Sequence, residues 1–312
     1  MNTSSRSVLV AMMVRPATTP TKETTDDAVG RPLTGRTRGR LGPGARPRGT
    51  KVNMRGQRLW LSVTAAVVMV TGSCSPSGGA DVGSDVVPVI RPTILAAIPH
   101  SPAAYTEGLE LDGDALYEAT GMWGESELRE LDPDTGTLRR AVPLPSNYFG
   151  EGITVVGDRI WQLTYQGGVA VEWDKSTLNL LRTVPVHGDG WGLCLDGNRL
   201  IRSDGTDRLR FHGTTDFTET GSVAVTRDGR PLTRLDELEC VAGQVWANVW
   251  PTDEFVRIDP ATGRVNLAVD ASNLWRGGPR TNEQVMSSIA HVSGDDYMIV
   301  GKDWPWILRV RI

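Results

Sequence analysis

The chain has 312 residues, 39% hydrophobic and 22% charged, with a formal net charge of −4. That length suits one large domain or two ordinary ones. The charge is uneven: residues 1–73 hold 12 of the 33 Lys and Arg but only 3 of the 37 Asp and Glu, which leaves the rest near −13. An acidic body without a basic stripe argues against a nucleic-acid partner.

Residues 1–53 carry Arg31, Arg36, Arg38, Arg40, Arg46 and Arg48 among Gly, Pro and Thr, with no apolar run of helical or strand period. Such a stretch cannot bury enough surface to offset its ordering entropy. We expect a disordered extension there, or none at all if Met54 is the true start. After Met54, Arg55 and Arg58 precede the apolar run from Leu59 to Val70, followed by Thr71-Gly72-Ser73-Cys74. This is the pattern of an export signal over residues 54–73, and the placement of Cys74 resembles a bacterial lipobox. The resemblance implies cleavage before Cys74, a diacylglyceryl group on it, and display at the outer face of the membrane in a bacterial cell envelope. The lipid would be the only contact with the membrane. Ordinary signal cleavage and an uncleaved anchor are the alternatives, because Thr71 stands where Leu is usual. The apolar run is short for a membrane span. Residues 74–87 read as a flexible tether rich in Gly and Ser.

From residue 88 to 312 the sequence repeats itself. The segments Thr106-Glu107-Gly108-Leu-Glu-Leu-Asp-Gly113, Gly150-Glu151-Gly152-Ile-Thr-Val-Val-Gly157, Gly190-Trp191-Gly192-Leu-Cys-Leu-Asp-Gly197 and Asp236-Glu237-Leu238-Glu-Cys-Val-Ala-Gly243 are each followed by a second apolar strand. A looser fifth copy is Ser287-Ser288-Ile-Ala-His-Val-Ser-Gly294. Positions 108, 152, 192, 238 and 288 are 44, 40, 46 and 50 residues apart. Short strands at that period are the signature of propeller blades. Second hairpins follow at Asp132-Pro-Asp-Thr-Gly136, Asp174-Lys-Ser-Thr177 and Asp259-Pro-Ala-Thr-Gly263, where Pro and Gly suit type I turns with a bulge. The expected fold is all-β, a five-bladed β-propeller with four-stranded antiparallel blades over residues 88–312. The strand Pro88–Ile98 should close the ring against Ser288–Val300 and Trp306–Ile312, which removes exposed edges.

Apart from Cys74 the chain has Cys194 and Cys240, in matching slots of neighbouring repeats 46 residues apart. An exported protein permits a disulfide between them; two buried thiols are the alternative. The four His lack paired spacing, so no zinc site is visible. Asp204-Gly205-Thr206-Asp207 reads as a turn.

The slot before the key Gly or Leu of each repeat holds Glu107, Glu151, Trp191, Glu237 and Ser287. At the starts of inner strands these side chains would converge on one mouth of the central channel. Tyr105, Phe149, Tyr165, Trp250 and Trp304 lie near the same strand ends. An acidic centre ringed by aromatics suits a small cationic or amide-bearing ligand; plain packing and turn roles are the alternative.

Eight strings carry a family resemblance: Ala104-Tyr-Thr-Glu-Gly108, Tyr117-Glu-Ala-Thr-Gly121, Phe149-Gly-Glu-Gly-Ile-Thr154, Trp161-Gln-Leu-Thr-Tyr165, Gly190-Trp-Gly-Leu193, Leu235-Asp-Glu-Leu-Glu239, Trp246-Ala-Asn-Val-Trp250 and Gly301-Lys-Asp-Trp-Pro305. In this order, over about residues 95–308, they resemble the plant- and bacterial-type glutaminyl-peptide cyclotransferases. The resemblance implies closure of an N-terminal glutamine to pyroglutamate with release of ammonia, on peptides or proteins that begin with Gln. It implies Glu151 as general acid and base. It implies a substrate pocket of Tyr105, Glu107, Phe149, Tyr165, Trp191, Asp236, Trp250 and Lys302. Glu107 stands for a family Gln, Asp236 for an Asn and Tyr165 for a Trp. The first two exchanges replace neutral amides by carboxyls. No cofactor is required for this chemistry. A structural calcium ion in the channel is admitted by the resemblance, although the sequence contains no calcium loop. A monomer is expected. The competing reading is a non-catalytic propeller lipoprotein that binds a ligand or an envelope partner.

Overall fold

The computed structural model describes residues 86–312. The arginine-rich extension, the export signal, Cys74 and all but the last two tether residues lie outside them. The chain divides into two units, Met1–Cys74 and Ser75–Ile312, and everything described belongs to the second. Among the described residues there are 23 strands and no helix.

The strands form five sheets, giving an all-β, propeller-like architecture. The first runs Thr106–Asp112, Ala115–Thr120, Glu127–Leu131, Leu138–Pro143, and the second Phe149–Val156, Arg159–Tyr165, Val169–Asp174, Leu180–Pro185. The third runs Leu193–Asp196, Arg199–Arg202, Arg208–Gly213, Glu219–Ala224. The fourth is built on Leu235–Val241, Gln244–Val249, Glu254–Asp259 and Arg264–Asp270. The fifth holds Met286–Ser293, Asp296–Gly301 and Trp306–Arg311, completed by Thr93–Pro99 from the start of the domain. The first strands of the five sheets touch in cyclic order, and the fifth returns to the first.

Burial falls from these inner strands outward. Ala115–Thr120 is buried at every position, whereas Leu180–Pro185 is exposed at nearly all. A strand covered on both faces reads as a continuous apolar run, and an outer strand is free to be polar. The core fills the gaps between adjacent sheets. Ile153 and Val171 pack with Tyr117 and Leu128, Trp161 and Leu163 with Leu200 and Phe217, and Phe255 and Trp246 with Ile289 and Ile299. Each fully buried aliphatic side chain contributes about 1.5–3 kcal/mol, so the sheets are held mainly by their faces.

The turn glycines of the five repeats, Gly113, Gly157, Gly197, Gly243 and Gly294, all have positive φ. The second hairpins differ. Gly136 and Gly263 take the left-handed conformation, but Leu178 and Phe217 take it in the second and third sheets. Both are buried in the core, so packing offsets a backbone state that bulky residues rarely adopt.

Two expectations need correction. The strand expected over Pro88–Ile98 is split: Val89–Ile90 pairs in parallel with Arg264–Asp270 of the fourth sheet, and only Thr93–Pro99 pairs with Trp306–Arg311. Pro92 lies at the break; it lacks an N–H and restricts the residue before it. Nor are all sheets four-stranded. The fourth has seven, because Val89–Ile90 and the hairpin Thr226–Arg227/Arg230–Pro231 add to it. Asp228-Gly229 forms the tip of that hairpin with both residues at positive φ, as an Asp-Gly turn does. Asp228 accepts the Val87 N–H at 2.8 Å, and Val87 is buried, so the final tether residue is tied to this hairpin.

Closure is reinforced at His100, which directly follows the closing strand. Its Nδ1 lies 2.8 Å from the Trp304 carbonyl and its Nε2 2.8 Å from Glu118 Oε1. Both partners are acceptors, so both ring nitrogens must donate and the ring is an imidazolium. Burial opposes that charge, but the bond and charge of Glu118 outweigh it and hold the His100 pKa above its ordinary value. A disulfide joins Cys194 to Cys240, with Cα atoms 5.4 Å apart, tying the inner strands of the third and fourth sheets.

Candidate active site

Four of the five inner strands slip register at their first residues: between Thr106 and Gly108, Gly150 and Ile153, Leu235 and Leu238, and Met286 and Ser288. Such bulges re-aim side chains and recur beside active sites. The residues in the slips are Glu107, Glu151-Gly152, Asp236-Glu237 and Ser287. The third sheet instead starts its inner strand late, at Leu193. There Gly192 N–H donates to Ser203 Oγ and Ser203 Oγ donates to the Asp236 carbonyl, both at 2.7 Å.

Small residues let the inner strands approach. A Cβ on Gly152 would lie 2.4 Å from Glu237 Oε2 and 2.5 Å from the Trp191 carbonyl, and one on Gly192 would lie 2.2 Å from the Asp236 carbonyl. The Gly152 N–H uses the space to donate to the Trp191 carbonyl at 2.8 Å.

Glu107, Glu151, Asp236 and Lys302 are all buried. Lys302 Nζ sits 2.8 Å from Glu107 Oε2 and 4.8 Å from the centre of the Tyr105 ring. Burial opposes the Lys302 charge, but Glu107, Tyr105, Asp236 and Glu151 together hold its pKa above the ordinary value. Three carboxyls thus face one ammonium. Burial pushes Glu107 up to about 7 against the pull of Lys302, and Asp236 up to about 6. Burial first, then the charge of Glu107, drive the Glu151 pKa well above the ordinary carboxyl value, with Asp236 and Glu237 adding to the push. Glu151 is therefore poised to hold a proton.

Aromatic rings enclose the group. Phe149 meets Tyr105, Tyr165 and Trp123 edge to face at centroid distances of 6.3, 5.9 and 5.9 Å. Trp191 and Trp250 meet at 6.0 Å, and the Arg234 guanidinium lies 5.6 Å over Trp250. Burial pushes Tyr105 up to about 12, so it stays a neutral phenol. Two buried polar atoms of these residues have no partner: Asp236 Oδ2, an acceptor, and Trp191 Nε1–H, a donor.

The structure brings Tyr105, Glu107, Phe149, Glu151, Tyr165, Trp191, Asp236, Trp250 and Lys302 into this region. Glu237, Ser287 and Trp304 fall elsewhere. The Glu237 carboxyl turns toward Gly152; the Leu109 amide faces it, yet neither oxygen has a hydrogen bond of good geometry. Ser287 donates to the Thr106 carbonyl at 2.7 Å across the closing seam. Trp304 is buried against Trp275, with its N–H on the Gln284 carbonyl. Asp204 accepts from the Thr206 amide and pairs with Arg210, completing the expected turn.

Sequence reasoning missed several supports. Ser203 ties the third sheet to the fourth. Ser126 Oγ receives the Gly150 N–H at 3.0 Å and donates to the Met122 carbonyl at 2.7 Å. Gly205 leaves room for the Trp191 ring, 2.7 Å from where a Cβ would be. Arg202, fully buried, donates to the His187 and Asp189 carbonyls and so fixes the approach to Trp191. A lone Ser or Arg in a strand carries no periodic signal. Among the described residues no three or more His, Cys, Asp or Glu side chains are arranged to hold a metal.

The sequence model of the glutamine cyclotransferase family matches residues 64–312. A glutaminyl-peptide cyclotransferase of Arabidopsis thaliana is 34% identical over 225 residues, which is 70% of each chain. The crystal structure of Myxococcus xanthus glutaminyl cyclase superposes with a TM-score of 0.68 at 34% identity, covering 72% of this chain and 97% of that one. The chain belongs to the glutamine cyclotransferase family.

Proposed function

We infer that the protein is a glutaminyl-peptide cyclotransferase, which closes the N-terminal Gln of peptides and proteins to pyroglutamate and releases ammonia. The observation that carries this reading is the buried Glu151, its pKa raised by burial and by Glu107, beside the Glu107–Lys302 pair and inside an aromatic wall. The reaction is intramolecular, so the main task is to fold the Gln side chain back onto its own amine. The rings of Tyr105, Phe149, Tyr165, Trp191 and Trp250 would enclose that folded conformer and exclude water. The orphan Trp191 N–H and Asp236 Oδ2 match the oxygen and the N–H of the γ-carboxamide.

Ring closure then needs two proton movements. Glu151 as carboxylate takes a proton from the attacking amine as the N–C bond forms. As carboxylic acid it returns that proton to the departing nitrogen as the second C–N bond breaks. A pKa raised toward neutrality gives one group access to both states. Lys302 balances Glu107 and keeps the pocket from holding three uncompensated carboxylates.

The remaining assignments belong to the same proposal. The five sheets are the blades of a closed five-bladed propeller. Cys74 is the lipid attachment point after an export signal over 54–73, the tether spans the gap to the propeller, and the protein works as a monomer on the outer face of the membrane. The disulfide suits an oxidising compartment. The scheme uses no cofactor, so activity should survive chelators. The test is ammonia release from a peptide beginning with Gln, using the full chain, followed by mass analysis of the product. Pyroglutamyl product supports the reading. No ammonia from any Gln-terminal peptide would favour a binding module instead.

A further inference from the structure

The exposed large apolar side chains mostly lie on outer strands or near the chain start: Leu138, Leu180, Leu181, Leu95, Val89 and Ile90. Met122 and Trp123 are different. They sit in the loop after Ala115–Thr120, and Thr120 pairs with Thr106 at the site end of the first sheet. The loop is therefore at the mouth. Met122 is 45% exposed and Trp123 52%, an unusual placement for the two most apolar residues of a short polar loop.

This loop is firmly held. Gly121 N–H donates to the Tyr105 carbonyl at 2.7 Å, and a Cβ there would strike the Phe149 ring at 2.4 Å. Ser126 Oγ bonds both the Met122 carbonyl and the Gly150 amide, one residue from Glu151. Met122 has φ of 93°, a conformation costly for a non-glycine residue. Surrounding bonds thus hold a strained backbone that presents apolar side chains to water. The Trp123 ring is also continuous with the site, meeting the outer side of Phe149 at 5.9 Å.

We propose that Met122 and Trp123 form a subsite for an apolar or aromatic side chain at the second position of the substrate, the residue that follows the N-terminal Gln. The inference rests on the reading of the pocket as the Gln site. A glutamine folded beside Glu151 against Phe149 leaves its carbonyl and the rest of the chain to exit past the pocket wall, and Trp123 extends that wall. The rim charge agrees: Glu283 and Asp303 act on Tyr105, and Asp189 acts on Tyr165. An acidic second residue would meet like charge, whereas an apolar one would cover exposed indole.

The test compares kcat/KM for Gln-Phe, Gln-Gly and Gln-Asp peptides of equal length in wild type, Trp123→Ala, Trp123→Phe and Leu181→Ala. Wild type should favour Gln-Phe over Gln-Gly by about tenfold or more, the scale of one apolar contact in a pocket, and should disfavour Gln-Asp. In Trp123→Ala the Phe-to-Gly ratio should fall toward one, with the loss in KM. Trp123→Phe should restore most of it, and Leu181→Ala, on an outer strand, should leave the ratio unchanged. A ratio that survives Trp123→Ala, or a wild type indifferent to the second residue, overturns the subsite while leaving the cyclase reading intact. No turnover of any Gln peptide overturns both.

Discussion

Carboxyl groups at the two ends of the radial direction behave in opposite ways. At the outer turns Asp132, Asp174 and Asp270 are only partly covered and accept hydrogen bonds, which pull each down to about 2. At the mouth burial pushes Glu107, Asp236 and Glu151 up. The same chemical group therefore builds turns where water solvates it and stores protons where water is excluded. Perturbed carboxyls of the second kind cluster at functional sites, but burial also raises Glu110, Glu237 and Glu239, so the aromatic wall and Lys302 are needed to mark the candidate catalytic acid.

The largest expected effect breaks the inner half of that comparison. Glu151→Gln keeps shape and removes the proton carrier, so ammonia release should drop about 10²–10⁴-fold while the melting temperature changes little. Comparable loss from Asp132→Asn would contradict the assignment.

The second prediction concerns the buried pair. Lys302→Met strands Glu107 without its cation and should cost about 3–5 kcal/mol in urea unfolding. The double variant Lys302→Met/Glu107→Gln should recover most of that stability without recovering activity. Additive losses would mean that the pair is not an energetic unit.

The disulfide closes 46 residues. Its removal by Cys194→Ala/Cys240→Ala should cost about 3–4 kcal/mol with catalysis retained at low temperature, measured by denaturation with and without reductant.

The closing seam supplies a pH effect of opposite sign to that of ordinary carboxyls. The folded His100 pKa lies above its unfolded value. Its stabilisation is thus complete below about 6.5 and lost as pH rises through the folded pKa. A His100→Gln variant should flatten the fall in melting temperature on the alkaline side. The smallest change should come from Asp132→Asn, which keeps an acceptor at the turn: a slight drop in melting temperature and no change in rate.

Much of this arrangement was legible in the sequence because repeats enforce it. The Gly of the first hairpin recurs at one slot in all five repeats, and an acidic or aromatic residue recurs at the start of the inner strand in four of them. The closing strand was legible in part, since Pro92 splits it. Two left-handed turn positions were hidden because Leu178 and Phe217 replace Gly and are held by core packing. The extra strands of the fourth sheet are two residues each, too short to show a period. In the site the nine residues singled out by resemblance do gather, but the repeat slot pointed to Glu237, whereas Asp236 is the acid that acts on Lys302. A one-residue bulge decides which of two adjacent acids points inward, and a bulge leaves no mark on period.

The account stands on a Glu151 pKa held well above the ordinary carboxyl value by burial and by the Glu107 charge. The pH dependence of kcat/KM in wild type and in Glu107→Gln tests that most directly. The account predicts an acidic limb well above the ordinary carboxyl range in wild type, and a shift of that limb to lower pH when the Glu107 charge is removed. A limb at the ordinary carboxyl value in both proteins would contradict it.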